Sequence, residues 1–345
     1  MQIPIRNIFY LLSYSWDTLD QRGVVDAGQL EGTNFADLCA HVLIGGTRRL
    51  IKEGLDQQYY EETAELAVVR GRIDFSASAV RQSLERGKIV CRYDELTRAS
   101  TPNRIIRTTL RRLAAVHGLD SDLRNQLLVL WKRLAEIPEV QVQRAMFRSP
   151  VRQRKPLYGL LLAVCEMVHG SIAPEKPGQG AVFRDFLQEE VRMRMLFQRF
   201  VRNFYARELR NHTVRGDRLE WAAVPEKPGD EKLLPVMETD ITIESKNKIC
   251  IIDTKYYVSA LQVRYEAPKL ISGNLYQLFS YLKNAAETRG GLYTTAEGIL
   301  LYPQNGPVLD HAYKISGHRM RTCTVNLAAD WKEIRERLLA IVGVS

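Results

Sequence analysis

Apolar residues recur along this chain with two periods, one helical and one alternating, and the switches between them outline its elements. Near the N-terminus the run IFYLLSYSW keeps helical spacing and predicts a buried amphipathic helix. Between 34 and 52, Phe35, Leu38, Cys39, Val42, Leu43, Leu50 and Ile51 repeat at the same spacing, interrupted by Gly45-Gly46. The segments ELAVVRGRIDF (65–75) and KIVCRY (88–93) read as strands, separated by the polar stretch 76–87. Residues 103–115 and 121–135 predict a helix pair, with Ile105, Ile106, Thr109, Leu110 and Leu113 facing Leu123, Leu127, Leu128, Trp131 and Leu134. A strand is expected over 140–147, and the polar SPVRQRKP after it suggests a domain junction near residue 150.

Beyond that junction the pattern predicts a helix over 157–169, a Pro/Gly-rich loop over 171–180 and a long helix over 183–209. On the stripe of that long helix formed by Phe186, Met193, Phe197, Phe200 and Phe204 sits one acid, Glu190. From Met237 to Tyr257 the period becomes two. Thr239, Ile241 and Ile243 alternate with Asp240 and Thr242, the polar residues 244–248 make a turn, and an apolar run from Ile249 reads as a buried central strand. Residues 260–272 look like a mobile loop, 274–282 a helix, 298–302 and 322–327 strands, and 330–342 a closing helix. The order helix, hairpin, helix, strand, strand, helix is that of a mixed sheet flanked by helices. The expectation is an α/β fold in two domains: an α+β N-terminal domain over 1–152 and the mixed-sheet domain over 153–345.

A length of 345 residues with 45% apolar composition suits two globular domains. A net charge of +9 points to an acidic partner, nucleic acid ahead of an anionic membrane. Part of that charge lies on the first of the paired helices, where Arg104, Arg107, Arg111 and Arg112 share a side. That stripe reads as a surface for DNA or a protein partner, or as a solubilising face. The five cysteines, Cys39, Cys91, Cys165, Cys250 and Cys323, are odd in number, widely spaced and set among apolar residues, so they read as reduced core positions. No spacing of Cys and His suggests zinc. No stretch approaches the ~20 apolar residues of a membrane span, and a cytoplasmic protein is expected.

The chemistry concentrates in the hairpin. Period two sends Asp253 and Lys255 out of one strand on the same side, at the end of the apolar run, while Asp240 projects from the neighbouring strand. Two converging carboxylates suit Mg²⁺, which prefers hard oxygen ligands, and a lysine beside them is placed to orient a nucleophile or offset charge on a phosphoryl oxygen. A structural Asp253–Lys255 ion pair is the competing reading, since an Asp-x-Lys arises by chance roughly once in a chain this long. Downstream, Gln277 and Tyr281 are four apart and share a helix face, where they serve either packing or hydrogen bonding to a ligand or phosphate.

Asp240, Asp253-x-Lys255 and Gln277-x-x-x-Tyr281 together resemble the PD-(D/E)xK nuclease core, in the subgroup with a Gln-x-x-x-Tyr motif. The likeness extends further. IPIRNIFYLLSYSWD, GRIDF, NRIIRTTL, METDITI, DTKYY, NLYQLFSYL, LLYP and CTVNL resemble the McrC family from end to end. The proline that often precedes the first acid of such nucleases is replaced here by Thr239. The resemblance implies a Mg²⁺-dependent endonuclease subunit of a McrBC-type restriction system, with Asp240, Asp253 and Lys255 catalytic and Gln277 and Tyr281 supporting them. It also implies a partner, a McrB-type AAA+ ring that binds GTP, reads 5-methylcytosine in double-stranded DNA and is stimulated by this subunit. Because such cores bring an acid from an upstream helix to the metal, Glu190 is a further candidate ligand, with a salt bridge to a nearby arginine as its alternative. From another class comes a non-catalytic activator that bridges and stimulates the AAA+ NTPase.

Overall fold

The computed structural model describes residues 3–16, 33–148, 155–172, 190–227, 229–256, 261–264 and 267–344. They fall into two compact units, but not at a single boundary. One unit holds residues 34–172, and the other joins 3–16 to 190–344. The expected division at 152 is therefore corrected at both ends. The N-terminal helix α1 (Ile5–Ser15) belongs with the C-terminal unit, and the helix that follows the junction belongs with the N-terminal one.

In the 34–172 unit, α2 (Phe35–Glu53) is one uninterrupted helix, opened by a capping box between Asn34 and Asp37. Gly46 does not break it, because the absent side chain is where Leu161 packs. A three-stranded sheet follows, with β1 (Gln58–Leu66) and β2 (Arg72–Ile73) on either side of β3 (Ile89–Thr97) and the short helix α3 (Phe75–Val80) after β2. Gly71 makes the bend before β2. It lies at φ +69°, and a Cβ there would meet the Arg92 carbonyl oxygen. The paired helices are α4 (Thr101–Ala114) and α5 (Ser121–Arg133). The strand expected over 140–147 is absent: Arg144–Phe147 is a single 3₁₀ turn that buries Phe147, and no neighbouring strand pairs with it. The last helix, α6 (Pro156–Ser171), is apolar on nearly every side and packs on α2 and α4. That all-round apolarity draws it into the core of this unit rather than the next.

The C-terminal unit is built on α7 (Glu190–Glu208) and a six-stranded sheet. Phe186 and residues 173–180 of the loop expected over 171–180 lie outside the described residues, while Ser171 ends α6. Two short strands, β4 (Thr213–Arg215) and β5 (Arg218–Leu219), precede β6 (Met237–Glu238), and β5 pairs with β6. The predicted hairpin is present as β7 (Ile241–Glu244) and β8 (Ile249–Thr254), antiparallel, with every residue of β8 buried. Backbone pairing joins β9 (Leu261–Arg264) to β10 (Ala267–Leu270), where a loop was expected. Helix α8 (Ser272–Arg289), strands β11 (Glu297–Pro303), β12 (Asp310–Ile315) and β13 (His318–Val325), and helix α9 (Trp331–Val342) complete the chain. The sheet order is β12-β13-β11-β8-β7-β4, with β11 parallel to both neighbours and the outer pairs antiparallel. It is the mixed sheet the order of elements predicts, widened by two edge strands, β4 and β12.

Helix α1 closes this unit. Its Tyr14 ring lies 5.2 Å from Trp331 of α9 and 5.4 Å from Phe204 of α7, and Tyr10 stacks on Trp331 at 4.6 Å. Asn7, fully buried, donates to the carbonyls of Leu327 and Ala329 at 2.8 Å each.

Candidate nuclease centre

Strand register brings the two acids together. Ile241 pairs with Ile252, so one step further along the ladder Asp240 comes level with Asp253 on the adjoining strand. Asp253 is 2% exposed at the end of β8. The next rung is also fixed, because the Lys255 backbone N–H donates to the Leu301 carbonyl of β11 at 2.9 Å. The Lys255 side chain therefore leaves the sheet on the same side as Asp253, and its Nζ lies 2.9 Å from Asp253 Oδ2.

Helix α8 supplies the rest. Its Leu278 and Leu282 are buried against Gly298 of β11, where an added Cβ would stand 2.7 Å from Leu282 Cδ1. The residues one position before each leucine, Gln277 and Tyr281, are thereby turned to the edge where Lys255 emerges. Gln277 Oε1 accepts from Lys255 Nζ at 2.8 Å, and Gln277 Nε2 donates to Tyr281 Oη at 2.7 Å. Asp253, Lys255, Gln277 and Tyr281 form one continuous chain of polar contacts.

Electrostatics set the state of this chain. Burial pushes the Asp253 carboxyl up to about 6; Lys255 opposes that rise and the neighbouring Asp240 adds to it. Burial also raises the Tyr281 phenol. Asp240 is anchored differently: its Oδ2 accepts from the Thr254 backbone N–H at 2.8 Å and from the Thr254 hydroxyl at 2.7 Å.

The donor set fits a hard divalent cation. Asp253 Oδ2 is buried and faces the Lys255 ammonium at 2.9 Å. An ion coordinated by two carboxylates and completed by water and substrate oxygens is the ordinary way Mg²⁺ is held. Among the described residues no group of three or more His, Cys, Asp and Glu is placed to share a metal.

Glu190 is thus not grouped with Asp240 and Asp253 among the described residues. It is the first described residue of α7 and is exposed, whereas burial of its stripe begins at Met193. The basic stripe on α4 is likewise altered. Arg107 donates to the Ile137 carbonyl, Arg111 pairs with Glu139 at 3.1 Å, and both guanidiniums lie over the Trp131 ring at 5.6 and 5.5 Å. Arg112 meets His169 Nδ1 at 2.8 Å, and Arg104 is half-buried. Arg107, Arg111 and Arg112 tie α4 to neighbouring segments of their own unit.

Two residues near the centre carry no signal in the sequence. Thr254 is the unspecified middle of Asp-x-Lys, and Asp217 lies in a charged run that reads as surface. Asp217 is buried, and its backbone exchanges bonds with Thr239: the Thr239 N–H donates to the Asp217 carbonyl at 2.8 Å, and Thr239 Oγ1 accepts from the Asp217 N–H at 2.9 Å. Burial alone would raise its carboxyl, but Arg215 and Arg289, each within 2.9 Å, hold it below the ordinary value.

Residues 6–303, which include every member of this centre, match the family described as McrBC 5-methylcytosine restriction system component. The chain belongs to the McrBC family. This McrBC-family chain is 33% identical over 341 residues to the type IV methyl-directed restriction enzyme EcoKMcrBC of Escherichia coli (strain K12), covering 98% of its own length and 97% of that protein. In fold it is similar, with a TM-score of 0.51 and 15% identity, to a chain in the half-complex from a tetradecameric assembly of Thermococcus gammatolerans McrB AAA+ hexamers with bound McrC. The match covers 98% of this chain and 76% of that one.

Proposed function

We propose that this chain is the endonuclease subunit of a McrBC-type complex, hydrolysing phosphodiester bonds in DNA that contains 5-methylcytosine. The observation that carries the reading is the buried Asp253 beside Asp240, with Lys255 held between Asp253 at 2.9 Å and Gln277 at 2.8 Å. Purely structural ion pairs do not need a second carboxylate. Asp240 and Asp253 hold Mg²⁺, which when bound supplies positive charge to the scissile phosphate and acidifies water. Lys255 orients the attacking water and offsets charge on the phosphoryl oxygens. Gln277 keeps that ammonium in place, and Tyr281 fixes which way the Gln277 amide points. Asp253 has to be ionised to serve.

The 34–172 unit is assigned to docking on, and stimulating, a McrB-type AAA+ ring that binds GTP and selects the methylated site. Supporting this, Tyr59 and Leu96 face each other across β1 and β3 and are 74% and 50% exposed. The five cysteines are free and buried, which suits work in a reducing cytoplasm.

The test is cleavage of methylated and unmethylated DNA by this chain with its McrB-type partner, GTP and Mg²⁺. Asp253→Ala is expected to abolish cleavage while leaving GTPase stimulation intact. Cleavage at the wild-type rate by Asp253→Ala would overturn the assignment, and stimulation without cleavage by the wild type would make the chain an activator alone.

A further inference from the structure

Asp240 has one carboxylate oxygen already committed. Its Oδ2 has both acceptor positions filled by a single residue, Thr254, at 2.8 Å from the backbone N–H and 2.7 Å from the hydroxyl. Its Oδ1 makes no hydrogen bond or ion pair among the described residues. Thr254 is 3% exposed and belongs to the fully buried strand β8, so it does not move to follow the carboxylate. Pairing of Lys255 N–H with Leu301 holds the residue after it, and pairing of Thr239 with Asp217 holds the residue before Asp240.

We infer that Thr254 is a positioning residue: by taking up Oδ2 of Asp240 it presents Oδ1 to the divalent metal. This rests on the nuclease reading above. A carboxylate held by one backbone bond alone turns about its last torsion, and outer partners of this kind typically set metal affinity by 10–100-fold.

The test uses the full-length chain without partner or DNA, titrated with Mn²⁺ and followed by electron paramagnetic resonance of the free ion. Thr254→Val keeps the shape and removes the hydroxyl, and is expected to weaken Mn²⁺ binding about tenfold or more. Thr254→Ser restores the hydroxyl and is expected to bind close to wild type. Thr254→Ala stands in if the valine variant does not fold, and melting temperatures without metal separate lost stability from lost affinity. Wild-type affinity in Thr254→Val, or an equal loss in Thr254→Ser, overturns the inference. If Asp240→Ala also binds Mn²⁺ normally, or the wild type takes up none, the metal reading of the centre fails with it. If Asp240→Ala loses binding while Thr254→Val keeps it, only the role of Thr254 falls.

Discussion

Asp253 sits where its charge is least welcome. With its carboxyl raised from the model-peptide value of 3.8 to about 6, the protonated form is favoured in the folded chain. The stabilising contribution of the protonated group is fully present below 3.8 and is lost as pH rises through about 6, so above that pH the ionised group opposes folding. The rise corresponds to roughly 3 kcal/mol. Asp253→Asn, which mimics the protonated acid, is expected to melt higher than wild type at pH 7.5 without metal, with the gap closing towards pH 4; an unchanged or lower melting temperature at pH 7.5 would refute this. The proposed Mg²⁺ would favour the ionised form, so cleavage at limiting Mg²⁺ is expected to fall as acid protonates Asp253, read from a pH–rate profile. Period two alone made Asp253 and Lys255 legible, because alternation fixes sides without tertiary information. It did not reveal Thr254, whose role depends on which strand lies alongside.

At the scale of elements, α8 is placed by one missing side chain. Leu278 and Leu282 close on Gly298, and only that approach sets Gln277 against Lys255. Gly298→Ala would drive a methyl group to within 2.7 Å of Leu282 Cδ1. The expected cost is about 1–3 kcal/mol of stability, read by denaturant unfolding, together with slower cleavage from a displaced Gln277–Tyr281 pair. Stability and rate both equal to wild type would show that α8 is not held at this point. Long periodic elements such as α4, α5, β8 and α9 were legible because each buries a continuous stripe. The edge strands β4 and β12 were not: β12 is exposed along its whole length and carries no apolar alternation to read. The reverse error occurred at 140–147, where apolar residues suggested a strand but no neighbour offers a ladder.

At the scale of the molecule, the sheet unit is discontinuous in sequence. Helix α1 fills it through Tyr10 and Tyr14 against Trp331, Phe200 and Phe204, and a buried ring such as Tyr14 adds on the order of 1.5–3 kcal/mol. A fragment beginning at residue 153, cut at the boundary the pattern suggests, is expected to be insoluble or molten, because it lacks α1 and carries the apolar α6 without its partners. Residues 34–172 expressed alone are expected to fold, as judged by a cooperative thermal transition. A cooperative transition in the 153–345 fragment would refute the assignment of α1 to that unit.

By itself the sequence determined the α/β class, the mixed sheet, the buried strand that carries Asp253 and Lys255, and the helix face shared by Gln277 and Tyr281. All of these follow from local periodicity, which a single segment carries within itself. Only the tertiary structure decided that α1 and α6 exchange domains, that Glu190 is exposed, that Arg107, Arg111 and Arg112 meet partners in their own unit, and that Thr254 bonds Asp240 while Asp217 bonds Thr239. Those outcomes depend on partners far away in sequence, and the energy of burying or pairing a side chain is fixed by what arrives beside it.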